Sequence, residues 1–305
     1  MSTIGLIGTG IMGTPIGTNL LRAGHQMSVF SRTRSKAEPL LAAGARWTES
    51  PAELAANVDV ILSIVTDSPD VEAVYLGPTG VCSALTPGTL CMDMTTCAPE
   101  TARRVATQVE QAGGRFLDAP VSGGRTGAEA GTLSIMVGGA AADLARAEPV
   151  LRAIGKTIVH CGPVGAGQLT KLCNQIICGL NLLAVAEALV FARGVGLDPN
   201  VVLQAVSKGA AGSWAVDNLG PRMLRRDFAP MFMVDLQQKD LRIALATASA
   251  GGVALPGSTL VSQLLAAAQA AGEGREGTQT ILKTLERLSD RNRSPAGMPP
   301  GGTAG

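Results

Sequence analysis

The amino-acid sequence predicts an α/β domain of parallel strands, then an all-helical domain, with one long helix joining the two. Short apolar runs alternate with helical patterns over roughly the first half of the chain, as in a parallel sheet whose strands are connected by helices. No strand pattern follows residues 165–194, which read as a single long helix. We place the domains at residues 1–163 and 164–290 and expect a disordered tail at residues 291–305.

Composition limits the kinds of partner. The net charge is +1 and no basic stripe is present, so the sequence offers no footprint for nucleic acid or for an anionic membrane. We therefore expect small molecules or copies of the same chain as partners. The first residues lead directly into a strand pattern without a charged leader, which favours a cytoplasmic protein.

The cysteines indicate no metal site. All six are scattered and no two form a CxxC pair, so their spacing fits neither zinc binding nor a disulfide framework. We expect reduced, buried thiols and no metal.

The first strand is predicted at Thr3–Ile7 and is followed at once by Gly8-Thr9-Gly10-Ile11-Met12-Gly13 and a helical pattern. Strand, GxGxxG and helix in this order are typical of a Rossmann-type dinucleotide fold. Gly8 and Gly10 allow a tight turn and close approach to a pyrophosphate, and Gly13 lets the helix pack on the strand. We interpret the motif as a cofactor site and not as an empty turn.

The second strand, Gln26–Phe30, leads into Ser31-Arg32-Thr33-Arg34. Enzymes that use NAD usually carry an acidic residue here to bond the ribose hydroxyl. This chain has a hydroxyl and arginines instead, and a guanidinium suits a 2′-phosphate. The segment therefore favours NADP over NAD, which remains possible; a solvated basic loop is the other interpretation.

Further strands are predicted at residues 58–65, 89–94, 115–118, 133–137 and 157–160. Ligands of such sheets bind beyond the carboxyl ends of the strands, which places Val65, Thr66 and Thr96 at the cofactor. Thr96 could equally cap the next helix. A capping box at Ser50 and a helix start at Asp67 complete the local pattern.

Ser122, Gly123 and Gly124 follow the strand at residues 115–118. A hydroxyl beside bare backbone N–H groups offers several donors at short range, which is what a carboxylate requires. The segment predicts a site for a carboxylic-acid substrate.

The long helix carries Lys171, Asn174 and Cys178 at positions i, i+3 and i+7, so these residues share one face. Its other positions are apolar nearly all round, which predicts a helix buried on most sides and not a membrane span, because Asn181 and Glu187 interrupt it. Burying a lysine and an asparagine without partners is costly, so they indicate a lined cavity.

Lys171 is the best-placed proton donor in the sequence. The two histidines, His25 and His160, lie at helix and strand ends that suit structural roles, and Tyr75 is not followed by a lysine four residues later. Partial desolvation beside a cationic ring is expected to lower the Lys171 pKa.

The sequence resembles the β-hydroxyacid dehydrogenase family, which includes 3-hydroxyisobutyrate dehydrogenase and tartronate semialdehyde reductase. The resemblance spans residues 5–241 in the family's order. Four motifs carry it: Gly8-x-Gly-Ile-Met-Gly13; Asp118-Ala-Pro-Val-Ser-Gly-Gly124 with Gly131-Thr-Leu133; Gly165-x-Gly-xxx-Lys171-xx-Asn174; and Lys239-Asp240-Leu241.

The resemblance implies a role for each motif. It makes Lys171 the catalytic acid/base and Asn174 the residue that orients the substrate or the lysine. The remaining implied contacts are Ser122, Gly123 and Gly124 on the substrate carboxylate, Lys239 and Thr96 on the cofactor side, and Met12, Val65 and Thr66 along the cofactor. The family also implies a homodimer or homotetramer.

These features predict an NADP(H)-preferring oxidoreductase that interconverts a small β-hydroxy acid and its semialdehyde. Residues 123–139 look closest to 2-hydroxy-3-oxopropionate (tartronate semialdehyde) reductases. Gly212-Ser213-Trp214 also resembles 3-hydroxyisobutyrate dehydrogenases and broad glyoxylate or succinic semialdehyde reductases. Trp214 would then limit substrate size, unless it is a core residue.

Three other interpretations remain. Imine reductases usually replace the lysine, which this chain keeps. The decarboxylating phosphogluconate enzyme has histidine where Cys173 stands. A non-enzymatic NADPH-binding scaffold would be expected to lose Lys171, Asn174 and Ser122, all of which are present.

Overall fold

A computed structural model describes residues 2–289, so the tail predicted at residues 291–305 lies outside the described residues. The chain divides after Asn174 into two compact units, Met1–Asn174 and Gln175–Gly305. The domain limits that we drew at residues 163 and 164 stay a prediction.

The first unit alternates strands with helices, as the apolar runs predict. Its strands are β1 Thr3–Ile7, β2 Gln26–Phe30, β3 Arg46–Trp47, β4 Val60–Ser63, β5 Leu90–Asp93, β6 Arg115–Asp118, β7 Val121–Ser122, β8 Leu133–Gly138 and β9 Gly155–Gly162. Its helices are α1 Gly13–Arg22, α2 Glu38–Ala42, α3 Pro51–Ala55, α4 Ser68–Leu76, α5 Pro99–Gln111, α6 Gly124–Ala130 and α7 Ala141–Leu151, with 3-10 turns at Arg34–Ala37 and Val81–Ser83.

The sheet has the strand order of a doubly wound dinucleotide fold. Strands β3, β2, β1, β4, β5 and β6 lie side by side in that order, and all are parallel. β8 pairs antiparallel with β6 and β7 and parallel with β9. The strand order reverses between β1 and β4, and in such sheets the crevice beyond the carboxyl ends at this reversal is the ligand site.

Both faces of this sheet are covered, which explains the nearly continuous apolar strands. On one face Ile4 and Leu6 of β1 pack with Ile16 of α1, and all three are fully buried. On the other face Ile61 of β4 packs with Val105 of α5. The prediction of a Rossmann-type first domain is confirmed.

The helix starts follow the predicted caps. The Glu53 N–H donates to Ser50 Oγ at 3.0 Å, and Pro51 occupies the first turn of α3. The Glu53 carboxylate accepts from the Glu49 N–H at 2.8 Å, one residue before the partner that a capping box predicts. Asp67 caps α4 by accepting the Ser68 N–H at 2.7 Å.

The second unit is helical in its described residues, apart from an isolated bridge between Met233 and Gly277. Its core consists of fully buried aliphatic side chains such as Ala186, Leu241 and Val261. The helices are α8 Ala166–Gly194, which begins in the first unit, then α9 Pro199–Val206, a π-helical segment Ala215–Leu219, α10 Gly220–Leu224, α11 Val234–Ala250, α12 Pro256–Ala270, a 3-10 turn Thr278–Thr280 and α13 Ile281–Leu288.

Helix α8 corrects three expectations. It has an exposed apolar side that includes Ile177 and Phe191, at 59% and 66% exposure, so it is not buried on most sides. Cys173 and Cys178 are exposed, so the thiols are not all buried. By length and composition α8 is apolar enough to cross a membrane, so its polar residues do not exclude a span; core helices of soluble proteins pass the same test.

Candidate active site

The three glycines of the turn at the end of β1 differ in whether the surrounding backbone leaves room for a side chain. Gly8 has a φ of +98°, and a Cβ there would lie 2.2 Å from the Ile64 carbonyl oxygen. A Cβ at Gly13 would lie 1.8 Å from the Gly8 oxygen, whereas a Cβ at Gly10 would meet nothing within 4 Å. The fold itself therefore requires Gly8 and Gly13, while Gly10 leaves open the space that a pyrophosphate would need.

A cavity of about 620 Å³ adjoins this turn. Gly10 and Ile11 line one side, and Ser35 and Lys36 from the segment after β2 line another. Ile11 is 54% exposed, and Met12 supplies the first residue before α1. Backbone N–H groups at a helix start together with a lysine favour an anionic ligand, so the residues present fit a dinucleotide phosphate.

The segment after β2 keeps its arginines at the surface. Arg32 pairs with Asp70 at 2.9 Å, but the Arg32 side chain is 79% exposed. An exposed pair of this kind contributes roughly 0–1 kcal/mol, so a bound phosphate can replace the carboxylate easily. Ser31 is half-buried and Thr33 is exposed beside it.

The loops after β4 and β5 form one hydrogen-bonded group. The Val65 N–H donates to Thr95 Oγ1 at 2.9 Å, and the Thr95 hydroxyl donates to Asp93 Oδ1 at 2.8 Å. Thr66 and Thr96 follow the adjacent ends of these strands. α5 begins at Pro99 after Ala98, so Thr96 is not the cap of that helix. Its contact with the cofactor stays a prediction.

The start of α8 rests on two residues whose roles the sequence analysis missed, Asp118 and Gln168. The buried Asp118 carboxylate accepts the backbone N–H groups of Gly165 at 2.7 Å and of Gln168 at 2.8 Å. Burial raises the pKa of Asp118 to about 6, against these hydrogen bonds. A Cβ at Gly167 would lie 2.4 Å from the Met136 oxygen, which explains the second glycine of the motif that precedes Lys171.

Lys171 lies in the second turn of α8 and is 7% exposed. One turn later, Asn174 Oδ1 accepts a hydrogen bond from Ser122 Oγ at 3.3 Å. Gly123 and Gly124 follow Ser122 directly and begin α6. The structure thus joins the predicted carboxylate segment to the helix that carries the lysine, although 52 residues separate Ser122 from Asn174. The lowered pKa of Lys171 stays a prediction.

Trp214 and Lys239 belong to the second unit. Trp214 is 59% exposed and therefore is not a core residue. Lys239, on α11, pairs with Asp240 at 2.8 Å, and its side chain is only 13% exposed. The predicted roles of both residues stay predictions.

Two of the residues that we assigned to structural roles or found without a partner lysine, His160 and Tyr75, have structural partners. A ring nitrogen of His160 bonds the Gly139 carbonyl at 2.8 Å. Tyr75 is buried against Ser63, whose hydroxyl lies 2.9 Å from the phenol oxygen. Residues 2–289 contain no group of three or more potential metal ligands.

Asp93 gives the first unit a pH-dependent stability. Burial raises its pKa from 3.8 to about 6, against hydrogen bonds from Ser63 and Thr95. Because the folded-state pKa is the higher one, the stabilisation from this group is full below the unfolded-state pKa and is lost as the pH rises through about 6. Asn cannot ionise, and its Oδ1 can accept the same bonds. The unfolding free energy of Asp93→Asn minus that of wild type should therefore increase by up to about 3 kcal/mol as the pH is raised from about 4 to about 8.

Urea unfolding followed by Trp47 fluorescence in a Trp214→Phe background measures this change in the first unit alone. Asp118→Asn is the matched comparison, because both Asp118 oxygens accept N–H groups and an amide would set a donor against a donor. That variant should be destabilised at both pH values. A stability difference for Asp93→Asn that does not change with pH would contradict the prediction.

The sheet order, the glycine turn and the lysine helix define an NAD(P)-binding oxidoreductase. A family model described as the NAD binding domain of 6-phosphogluconate dehydrogenase matches residues 3–162. A second, described as NAD-binding of NADP-dependent 3-hydroxyisobutyrate dehydrogenase, matches residues 165–285.

Several proteins are similar in sequence to this chain over nearly its whole length. The 2-hydroxy-3-oxopropionate reductase of Escherichia coli is 42% identical over 94% of this chain and 98% of that protein. A probable mitochondrial 3-hydroxyisobutyrate dehydrogenase-like protein of Arabidopsis thaliana is also 42% identical, over 94% of this chain and 86% of its own. The 3-hydroxyisobutyrate dehydrogenase of Mycobacterium tuberculosis, solved with L-serine, has a TM-score of 0.87 and 34% identity over 93% of this chain and 99% of its own. The chain belongs to the β-hydroxyacid dehydrogenase family, as the motifs predicted.

Proposed function

We propose that this protein is an NADP(H)-preferring reductase of 2-hydroxy-3-oxopropionate, and that it also catalyses the reverse oxidation of the β-hydroxy acid. The contact between Ser122 and Asn174, one turn from the buried Lys171, carries this proposal. The contact supports a site in which a group suited to a carboxylate lies close to a group suited to proton transfer. Those are the two requirements of a substrate that has a carboxylate and a carbonyl.

The names of the relatives support the same substrate class. Hydroxyoxopropionate, hydroxyisobutyrate and serine each carry oxygen on the carbon β to a carboxyl group. A site that holds the carboxylate at one point therefore places the reacting carbon at a constant distance from it. We infer that this distance matches the separation between the Ser122 segment and Lys171.

The bound nicotinamide cofactor supplies the hydride for reduction of the aldehyde carbon. The N–H groups of Gly123 and Gly124 bind the carboxylate together with the Ser122 hydroxyl, which turns its one proton from Asn174 Oδ1 to the substrate. Lys171 donates a proton to the aldehyde oxygen as negative charge develops there, and in the oxidative direction it takes the proton back. Asn174, whose side chain lies beside Ser122, orients the substrate next to the lysine.

The charge beside the glycine turn supports NADPH. Arg32 is exposed and held only by a surface ion pair, and Lys36 lines the neighbouring cavity. Both can contact a 2′-phosphate, which carries more charge than the hydroxyl of NADH. No acidic residue occupies positions 31 to 36 to bind that hydroxyl.

We further propose a cytoplasmic homodimer or homotetramer. The exposed apolar side of α8, with Ile177 and Phe191, supports association of copies. Molar mass by light scattering tests the oligomeric state.

Initial rates on a panel of substrates test the proposed function. Tartronate semialdehyde, methylmalonate semialdehyde, succinic semialdehyde and glyoxylate are each supplied with NADPH and with NADH, and absorbance of the reduced cofactor is followed. We expect kcat/KM to be highest for tartronate semialdehyde with NADPH, by about tenfold or more over succinic semialdehyde. Succinic semialdehyde has one more carbon between its carboxylate and its aldehyde and lacks the 2-hydroxyl, and one methylene by itself alters discrimination by roughly 10–200-fold.

The outcomes separate the alternatives. A preference for methylmalonate semialdehyde would identify a 3-hydroxyisobutyrate dehydrogenase instead. Comparable rates with glyoxylate and succinic semialdehyde would indicate a broad semialdehyde reductase. NADPH binding without consumption on any substrate would favour the scaffold.

A further inference from the structure

Gln168 is a fully buried polar residue one turn before Lys171 on α8. Both ends of its side-chain amide are bonded to the loop after β5. Nε2 donates to the Thr95 carbonyl oxygen at 2.7 Å, and Oε1 accepts the Cys97 N–H at 3.1 Å. The amide therefore forms hydrogen bonds to the backbone on both sides of Thr96.

The loop after β5 is also hydrogen-bonded to the residues that follow the neighbouring strand, β4. The Thr95 hydroxyl accepts the Val65 N–H at 2.9 Å and donates to the buried Asp93 at 2.8 Å. Val65 and Thr96 are the residues that we place along the cofactor. Gln168 is thus a link, through side-chain bonds, between these cofactor loops and the helix that carries Lys171.

The backbone of Gln168 is fixed as well. Its N–H donates to Asp118 Oδ2 at 2.8 Å, so the first turn of α8 is anchored to the end of β6. The amide side chain then extends from a fixed point to the Thr96 loop. Any change in its length or bonding would alter the distance between that loop and the lysine one turn further on.

We propose that Gln168 is a positioning residue that sets the distance between the Thr96 loop, at the nicotinamide end of the cofactor, and the Lys171 amine. This inference rests on the proposed function, in which Lys171 is the proton donor. A misplacement of about 1 Å can lower a rate by about 100-fold, so such a link acts on kcat more than on cofactor affinity.

The chemistry of the link requires a neutral group with one donor and one acceptor. An ionised glutamate at residue 168 would set a carboxylate oxygen against the Thr95 carbonyl oxygen. A protonated glutamate has one O–H and one C=O, which reproduces the amide pattern. Burial raises the pKa of a carboxyl group, so the protonation state of such a variant changes within the working pH range.

The test compares Gln168→Glu, Gln168→Met and wild type over about pH 6 to about pH 8.5, with the preferred substrate and NADPH. We expect kcat of Gln168→Glu to be about 100-fold below wild type at the high end. The ratio of its kcat to that of wild type should rise at least about tenfold as the pH falls. The kcat of Gln168→Met should fall by the same factor and should not rise toward the wild-type value at any pH. The Kd for NADPH, measured by quenching of protein fluorescence, should stay within about threefold of the wild-type value in both variants.

Thr89→Val is the matched control, because Thr89 is a buried residue at the opposite end of β5 whose hydroxyl bonds the Val58 carbonyl oxygen at 3.3 Å. Its kcat ratio to wild type should stay near one at every pH. This inference alone would be overturned if the wild type is active and kcat of Gln168→Glu equals that of wild type. The same holds if kcat of the variant is reduced by the same factor at every pH. An inactive wild type would overturn the proposed function, and this inference with it.

Discussion

Replacing Lys171 by alanine is expected to lower kcat by about 10³-fold or more, with the Kd for NADPH within about threefold of wild type. Lys171 is 7% exposed and lies on the first part of α8, within the unit that holds the glycine turn. Removing it deletes the proton donor and leaves the cofactor contacts in place. Stopped-flow reduction of the preferred semialdehyde measures the chemical step directly.

Lys171→Arg separates charge from proton transfer. A guanidinium keeps the positive charge but does not give up its proton in proteins, so kcat should stay low. Thr170→Ala is the matched control on the same helix, because the Thr170 hydroxyl bonds only the Ala166 carbonyl oxygen one turn back. If Lys171→Ala retains wild-type kcat, the lysine is not the acid/base and the proposed mechanism fails.

The glycine turn gives the second large effect, with opposite consequences at two positions. Gly13→Ala would force a Cβ to 1.8 Å from the Gly8 backbone oxygen, so we expect the first unit to lose its folded state or most of its stability. Gly10→Ala meets nothing within 4 Å in the protein. It should fold normally and bind NADPH about tenfold or more weakly, because the methyl group occupies the space of the pyrophosphate.

Thermal unfolding and fluorescence titration with NADPH distinguish the two variants. Gly194→Ala is the control, because a Cβ there also meets nothing within 4 Å and the residue ends α8 in the second unit. It should change neither property. A Gly10→Ala variant with wild-type affinity would show that the cofactor does not approach this turn.

The regular parts of the fold could be predicted because each is encoded locally. β1, β2 and β6 were predicted to the residue from short apolar runs bounded by turn residues. Caps such as Ser50 and Asp67 predicted helix starts through bonds to residues close in sequence. β3 and β7, with two residues each, are too short to show an alternating pattern and were missed.

The bonds that organise the site were beyond local reasoning. Asp118 belonged to a motif, but its partners Gly165 and Gln168 lie 47 and 50 residues away. Gln168 resembles any polar residue of a helix until the Thr95 loop is placed against it. Likewise, apolar composition cannot tell which side of α8 is covered, so the exposure of Ile177 was not foreseen.

The uninterrupted run of α8 from Ala166 to Gly194 also limits how relatives can be recombined. A chimera joined between residues 162 and 165 would take Lys171 from one parent and the glycine turn from the other. A crossover after Asn174 would fall inside the helix, and a truncation there would strip the last four carbonyls of their N–H partners. Neither junction can be expected to leave function and stability unchanged, so a chimera needs parents whose α8 sequences are compatible with both units.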